Sequence, residues 1–434
     1  MGELPEGRGI LSNLALLLCQ YSKQKAFYHG KKAHHHIYES GYENSRFLAN
    51  WVIQMYGECG LMDDARAVFD KIRCPNTHSW TILLAMYALN GHMDHVENVF
   101  CRMTERKVVS WNALMTAHVR IGSKNEAINV FYRMHCESVQ MDNVSFICVL
   151  DACCGLYEGK RIHVSLVECG HMRDIVVGTA LLTMYGRCQS VEDVKIVFSN
   201  MVDRDKSCWN AMMAAYVKHG QFNEVINCFE EMKCHGILPD AVACVCCLKA
   251  CATLQDIQRG HEIYGEVQRR GLLDIDVFLG SSLVYMYAKC GSITEAQQVF
   301  DGLPLKNVVT WNSLITAYAN CENHQQVLNH YDKMQLEKVS PDVVTYVLCL
   351  KACGSIDSLE KLEEIHAHIV KGGLFHRDTA ICNTLIDIYA KCGCLFKAKK
   401  LFDSIPHPDA TSWTSLIAGC VQHRQENLAL ECFE

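Results

Sequence analysis

The sequence predicts an all-α solenoid of stacked helix-turn-helix repeats, and three markers predict it. Tryptophan occurs six times, and five of the six fall on a ruler: Trp80 and Trp111 are 31 residues apart, Trp111 and Trp209 are 98, and Trp209, Trp311 and Trp413 follow at intervals of 102. Tyr185, Tyr287 and Tyr389 keep the same 102-residue interval. So do the segments Leu248-Lys249-Ala250-Cys251 and Leu350-Lys351-Ala352-Cys353. Independent markers on one long period mean an internal repeat, and a repeat fixes architecture ahead of any other argument.

The 102-residue block is composite, dividing into units of 35, 36 and 31 residues. After an N-terminal stub at 1–9, the predicted units are 10–45, 46–76, 77–107, 108–142, 143–174, 175–205, 206–240, 241–276, 277–307, 308–342, 343–378 and 379–409. A thirteenth opens at Ala410 and stops at Glu434, so the sequence reads as a fragment of a longer protein.

Each unit reads as two antiparallel helices. In 277–307, Leu283, Met286 and Tyr287 share one helical face through their i, i+3, i+4 spacing. Gly291 then supplies a left-handed helix end, which a residue without Cβ adopts freely. A second helix carries Ala296, Val299 and Phe300 into a short loop at Gly302 and Pro304. Gly60, Gly91, Gly122, Gly220 and Gly393 hold the same slot as Gly291. Phe69, Phe100, Phe131, Phe198, Phe229, Phe402 and Phe433 match Phe300, with Tyr331 standing in once. So short a helix pair cannot bury both faces alone, whereas stacked copies share a core.

Composition agrees. Half the residues are hydrophobic and only seven are proline. No uncharged apolar run reaches the roughly 18 residues of a membrane span. The 26 cysteines recur inside helix patterns, as Cys290 and Cys392 do, and read as small packed hydrophobes holding free thiols. Glu3 and Glu6 argue against a transit peptide in the first residues.

The alternating unit lengths, Trp-Asn at 111–112, 209–210 and 311–312, Met-Tyr-Ala-Lys-Cys-Gly at 286–291 and Gly159-Lys160-Arg161-Ile162-His163 resemble the pentatricopeptide-repeat family. In particular they resemble its plant subclass built from P, L and S motifs. Units 108–142, 206–240 and 308–342 look like P motifs, 10–45, 143–174, 241–276 and 343–378 like L motifs, and 46–76, 175–205, 277–307 and 379–409 like S motifs. The unit at 77–107 departs from strict order: it has S length but carries Trp80 as a P motif would.

The resemblance implies a right-handed α-solenoid that binds single-stranded RNA, one base per unit. In the family the fifth and last residues of a unit read the base edge. Here the pairs are Asn50 with Asn76, Asn112 with Asp142, Thr179 with Asp205, Asn210 with Asp240, Ser281 with Asn307, Asn312 with Asp342, and Asn383 with Asp409. Thr81 is paired with Lys107, which gives no clear code, and the partner of Thr414 falls beyond Glu434. The second residue packs the base face: Phe47, Val109, Val176, Phe278 and Val309 suit this, Ser207 and Ala380 less so. L-like units hold Leu14, Ile147, Val245 and Val347 at the fifth position, and these cannot hydrogen-bond a base, so such units space rather than read.

By family resemblance, Asn with Asp favours uracil, Thr with Asp guanine, Ser with Asn adenine, and Asn with Asn a pyrimidine. The protein's N-terminus lies toward the RNA 5′ end. From the unit at 46–76 the expected target is therefore pyrimidine, unassigned, U, any, G, U, any, A, U, any, U.

Plainer readings compete. A polar residue early in a helix is often a cap, and Asp at the end of a unit could cap the helix that follows. The tryptophans read as packing between helices. A formal charge of −7, from 41 basic and 48 acidic residues, runs against a nucleic-acid binder, although Lys249, Lys289, Lys351 and Lys391 recur at fixed slots. A peptide-binding helical-repeat scaffold is the rival function, and an RNA stabilisation factor without an editing link is another.

Relatives in the subclass often carry a zinc deaminase, which needs His-x-Glu and a downstream Pro-Cys-x-x-Cys. His95-Val96-Glu97 and the spacing of Cys244 with Cys247 match only in part and fall inside repeat helices. His34-His35-His36 reads as a surface tract near the start of a second helix. The expectation is no catalytic residue, no metal or other cofactor and no small-molecule substrate. The partners are single-stranded organellar RNA and editing-complex proteins, in mitochondrion or chloroplast.

Overall fold

The structure is a computed structural model that describes residues 5–42, 44–274, 276–375, 378–405 and 408–425. Among the described residues lie 25 α-helices, 3₁₀ turns at His171–Arg173 and Leu272–Asp274, and no strand. The chain is an all-α repeat solenoid. Phe433, placed in the phenylalanine slot by its spacing, lies outside the described residues. No helix among them is long and apolar enough to cross a membrane.

Two compact units are present, residues 1–219 and 220–434. In the first, the leading helices Pro5–Lys23 and Phe27–Glu39 are followed by pairs whose first helices open at Arg46, Thr77, Val108, Asn143 and Ile175, and by Lys206–Lys218. In the second, Phe222–Cys234 leads, and first helices open at Ala241, Val277, Val308, Val343, Thr379 and Ala410. The N-terminal helix opens at Pro5, ahead of Ile10. Within each unit a first helix packs on its own second helix and on the first helix of the next pair. Leu283, Met286 and Tyr287 are buried as their spacing requires, and Gly291 closes that helix at φ 77°. Gly302 is the last residue of the second helix rather than part of the loop.

The tryptophan ruler is one half of an aromatic ladder. Each tryptophan meets, edge to face, the phenylalanine of the preceding second helix: Phe69–Trp80 at 4.6 Å between centroids, Phe100–Trp111 at 4.7, Phe198–Trp209 at 4.9, Phe300–Trp311 at 4.6 and Phe402–Trp413 at 4.5. The positive edge of one ring on the negative face of the other explains the recurring tilt. Both markers share a period because each is the other's contact.

The tyrosine ruler marks a second recurring contact. Tyr185 Oη bonds His163 Nδ1 at 2.8 Å, Tyr287 bonds His261 at 2.9 Å, and Tyr389 bonds His366 at 3.1 Å. Tyr56 repeats the contact with His34 at 3.0 Å. This corrects the expectation for His34-His35-His36. The tract lies past the middle of Phe27–Glu39, and His34 turns inward while His35 and His36 stay exposed. Gly159 belongs to the same junction, since a Cβ there would come within 2.5 Å of Met184 Sδ.

Burial holds His34, His163 and His366 below the usual imidazole range, so they stay neutral when folded. An unfolded imidazole takes its proton near 6.5, ahead of the folded one, so stability is full above that pH and falls as pH drops below it. The melting temperature is therefore expected to decline from pH 7 to pH 5.5. Replacing these three histidines by Asn should flatten that decline.

Eleven of the described cysteines are buried and pack as small apolar groups, while seven, Cys74 and Cys321 among them, are exposed. Burial pushes the thiols of Cys228, Cys244 and Cys353 up to about 12, which keeps them protonated and poorly nucleophilic. Adding a reductant should leave the melting temperature unchanged. A clear drop would mean that structural disulfides form.

Candidate nucleic-acid interface

The last residue of nearly every predicted unit is the N-cap of the next first helix. Asn76, Asp142, Asp205, Asp240, Asn307, Asp342 and Asp409 each accept the backbone N–H three residues on, at 2.8 to 3.0 Å. Such a cap contributes about 1 kcal/mol by satisfying a donor that the helix leaves orphaned. Lys107 caps nothing with its side chain. The capping reading is therefore correct for these residues.

The same carboxylates also engage the fifth residues. Asn112 Nδ2 donates to Asp142 Oδ1 at 2.9 Å, Asn312 to Asp342 at 2.9 Å and Asn383 to Asp409 at 3.1 Å. In the first two pairs cap and pair share Oδ1, leaving Oδ2 outside these bonds. Burial pushes the Asp142 and Asp342 carboxyls up, but bonds from Ser145 and Asn112, and from Thr345 and Asn312, more than offset it and hold both below the usual range. Both are thus ionised acceptors at neutral pH, which obliges each amide to turn its NH2 toward them.

The other pairs behave differently. Ser281 Oγ reaches Asn307 Oδ1 at 3.4 Å. Thr81, Thr179 and Thr414 donate to the backbone carbonyls of Thr77, Ile175 and Ala410. Asn50 Oδ1 is buried without a hydrogen-bond partner, and Asn76 is turned to Ser79 instead. Asn210 lies on a helix of the first unit, and Asp240 caps Ala241–Leu254 in the second. Several fifth residues are more buried than a residue lining an open surface: Asn50, Asn112, Ser281 and Asn383 are at most 8% exposed.

The second residues lie open. Phe47, Val109, Val176, Phe278 and Val309 are all exposed, Phe278 by 71%. Large apolar groups left in water need a reason when they recur at one repeat slot. Val144, Val242 and Val344 are equally open at the same slot of L-like units, which the sequence reading did not single out.

Three cavities join these positions. One of about 320 Å3 is lined by Val309, Asn312, Asp342 and Val344, with Tyr285 and Lys289 on its rim. Another of about 350 Å3 is lined by Val176, Thr179, Asp205 and Ser207, with Arg187. A third, of about 710 Å3, is lined by Phe47, Asn50, Asn76 and His78. Each unites the second, fifth and last residue of one unit with the second residue of the next. Each thus has two walls from successive second positions and a polar floor between them.

Basic side chains extend from the floor along the same helices. Lys249 and Lys351 are one turn beyond Val245 and Val347, and Lys289 and Lys391 two turns beyond Ser281 and Asn383, all exposed. Arg120, Arg187 and Lys218 hold the latter slot in their units and were missed by sequence reading, although identical spacing from the fifth residue would have found them. His95 is exposed and stacks on Tyr87 at 4.9 Å, whereas Cys244 and Cys247 are fully buried in Ala241–Leu254.

The chain is a helical-repeat array in which three polar recesses of the same make-up recur. The chain belongs to the pentatricopeptide-repeat family. The PPR repeat family model matches residues 106–155, 204–253 and 306–355, and the PPR repeat model matches 52–74, 78–108, 380–406 and 411–434. Pentatricopeptide repeat-containing protein At2g13600 of Arabidopsis thaliana is 34% identical over 96% of this chain, which spans 65% of that protein. The chloroplastic relative At1g15510 of the same plant is 33% identical over 68% of this chain, which spans 34% of its length. The crystal structure of maize PPR10 aligns with a TM-score of 0.66 at 17% identity, covering 96% of this chain and 67% of the other. PPR10 in complex with an 18-nt psaJ RNA element aligns at 0.71 and 16%, covering 97% and 67%.

Proposed function

We propose that this chain binds single-stranded RNA in a sequence-specific way, one base per unit, through the recesses formed by the second, fifth and last residues. The repeated union of those positions in single cavities carries the reading. A base seated between Val309 and Val344 would face the free N–H of Asn312 and the Oδ2 of Asp342. That is a donor beside an acceptor, the complement of the O4 and N3–H edge of uracil. Where Thr179 or Ser281 replaces Asn, the shorter hydroxyl leaves room for a purine. L-like units keep the wall but not the polar floor, so they seat a base without choosing it.

The P, L and S alternation supports membership of the plant PLS subclass. Relatives named as chloroplastic or mitochondrial support an organellar setting. In that setting the chain is the address-reading part of a C-to-U editing or RNA-processing factor, working with editing-complex proteins and holding no catalytic centre of its own.

The test is binding of a fluorescent single-stranded RNA carrying pyrimidine-N-U-N-G-U-N-A-U-N-U, against its scramble and its duplex. Each correct contact is expected to contribute about 1–3 kcal/mol of discrimination, by analogy with base readout in DNA. Equal affinity for target and scramble would defeat the reading. Lys289→Ala should weaken every sequence alike and reduce the salt slope by about one. Loss confined to one sequence would place that lysine in base readout instead.

A further inference from the structure

We propose that in most units a third residue completes the reading pair: the third residue of the following unit, which positions the reading side chain across the unit boundary. The proposal rests on the base readout argued above. Thr345 is fully buried, and its Oγ1 donates to Asn312 Oδ1 at 2.6 Å while Asp342 takes Nδ2 of the same amide. Ser145 serves Asn112 in the same way at 2.8 Å, and Ser412 serves Asn383 at 2.6 Å. An amide is nearly symmetric in shape, so a flip exchanges its donor and acceptor ends. Held at both ends, it presents one fixed N–H to a base. Hydroxyl readers find the same partner slot: Ser281 meets Thr310 at 2.7 Å, Thr81 meets Ser110 at 3.0 Å, and Thr179 meets the Cys208 thiol at 3.1 Å.

Ser145, Thr345 and Ser412 also close capping boxes with Asp142, Asp342 and Asp409, but a cap forms without a hydroxyl at that position. Asp174, Asp276 and Asp378 cap helices whose third residues are Val177, Leu279 and Ile381, all buried and apolar. Those helices follow units whose fifth residues are Ile147, Val245 and Val347, with nothing to position. Leu48 follows Leu14 in the same manner. A hydroxyl or thiol stands at the third position where the preceding fifth residue is polar, Ala243 after Asn210 being the exception. In the unit at 46–76 the third residue does not reach the reader. Ser79 Oγ bonds Asn76 Oδ1 at 2.9 Å, and the Asn50 carbonyl is left buried without a partner.

The test uses the full 434-residue chain. Its RNAs carry the target above and differ only in the base opposite the unit at 308–342. Thr345→Val keeps the shape and removes the hydroxyl, and Thr345→Ser restores it. Loss of the hydrogen bond to Asn312 should cut the preference for uracil at that position by about three- to tenfold. The preference at the unit 108–142 should be untouched, and T345S should behave as wild type. If T345V keeps its preference, or loses affinity for all four bases alike, the residue only supports the fold and the proposal falls. Asn312→Ala separates the two layers: if it abolishes the preference while T345V does not, readout stands and positioning fails. A wild-type chain with no base preference at that position overturns both. Should T345V not fold, Ser145→Ala read at the unit 108–142 carries the same outcomes.

Discussion

Asn312→Thr is expected to turn the unit at 308–342 from uracil-preferring to guanine-preferring. The asparagine amide reaches Asp342 Oδ1 at 2.9 Å, filling the floor of a cavity of about 320 Å3 walled by Val309 and Val344. A threonine hydroxyl is shorter, would bond back to the carbonyl of Val308 as Thr179 does to Ile175, and would leave Asp342 as the main polar group facing the base. Guanine, a larger ring offering N–H donors to that carboxylate, then becomes the better occupant. The change in discrimination should be about 1–3 kcal/mol, or roughly five- to 150-fold between RNAs differing at that base. Affinity lowered equally for both RNAs, or left unchanged for both, would remove the readout assignment and favour the scaffold reading.

The largest effect on stability is expected from Trp311→Ala. Trp311 is 1% exposed and meets Phe300 edge to face, so truncation leaves a cavity where the units 277–307 and 308–342 join. Truncating a buried tryptophan costs about 3–5 kcal/mol. In a repeat array each unit depends chiefly on its neighbours, so the loss should be local. Amide exchange should therefore accelerate across 277–342, while 108–205 keeps its protection. A uniform loss of protection along the chain would mean that the array unfolds as one cooperative block.

Much of this was legible in the sequence because it depends on local periodicity. The i, i+3, i+4 faces gave the helices, Gly291 and its counterparts gave their ends, and the 102-residue interval gave the spacing of the aromatic markers. Pairing Asn112 with Asp142 or Asn312 with Asp342 came from family resemblance, and the structure puts each pair in hydrogen-bond contact. From the sequence alone Asp142 reads equally as a cap or a base reader. The structure shows one carboxylate oxygen taking the helix N–H and the asparagine amide together. His34 went the other way: a run of three histidines looks like a solvated tract until Tyr56 is found beside the first of them.

The sequence by itself determined that the chain is a helical array, where its aromatic rulers lie and which residues recur at equivalent slots. Those are properties of spacing along one chain, and helix geometry converts spacing into faces without knowledge of neighbours. Only the tertiary structure decided which slots of successive units touch. It set Trp311 on Phe300, Tyr185 on His163, Thr345 on Asn312, and Val344 across a recess from Val309. Those contacts depend on the register and tilt between adjacent helices, which packing of their buried side chains fixes and which no periodicity within a single helix contains.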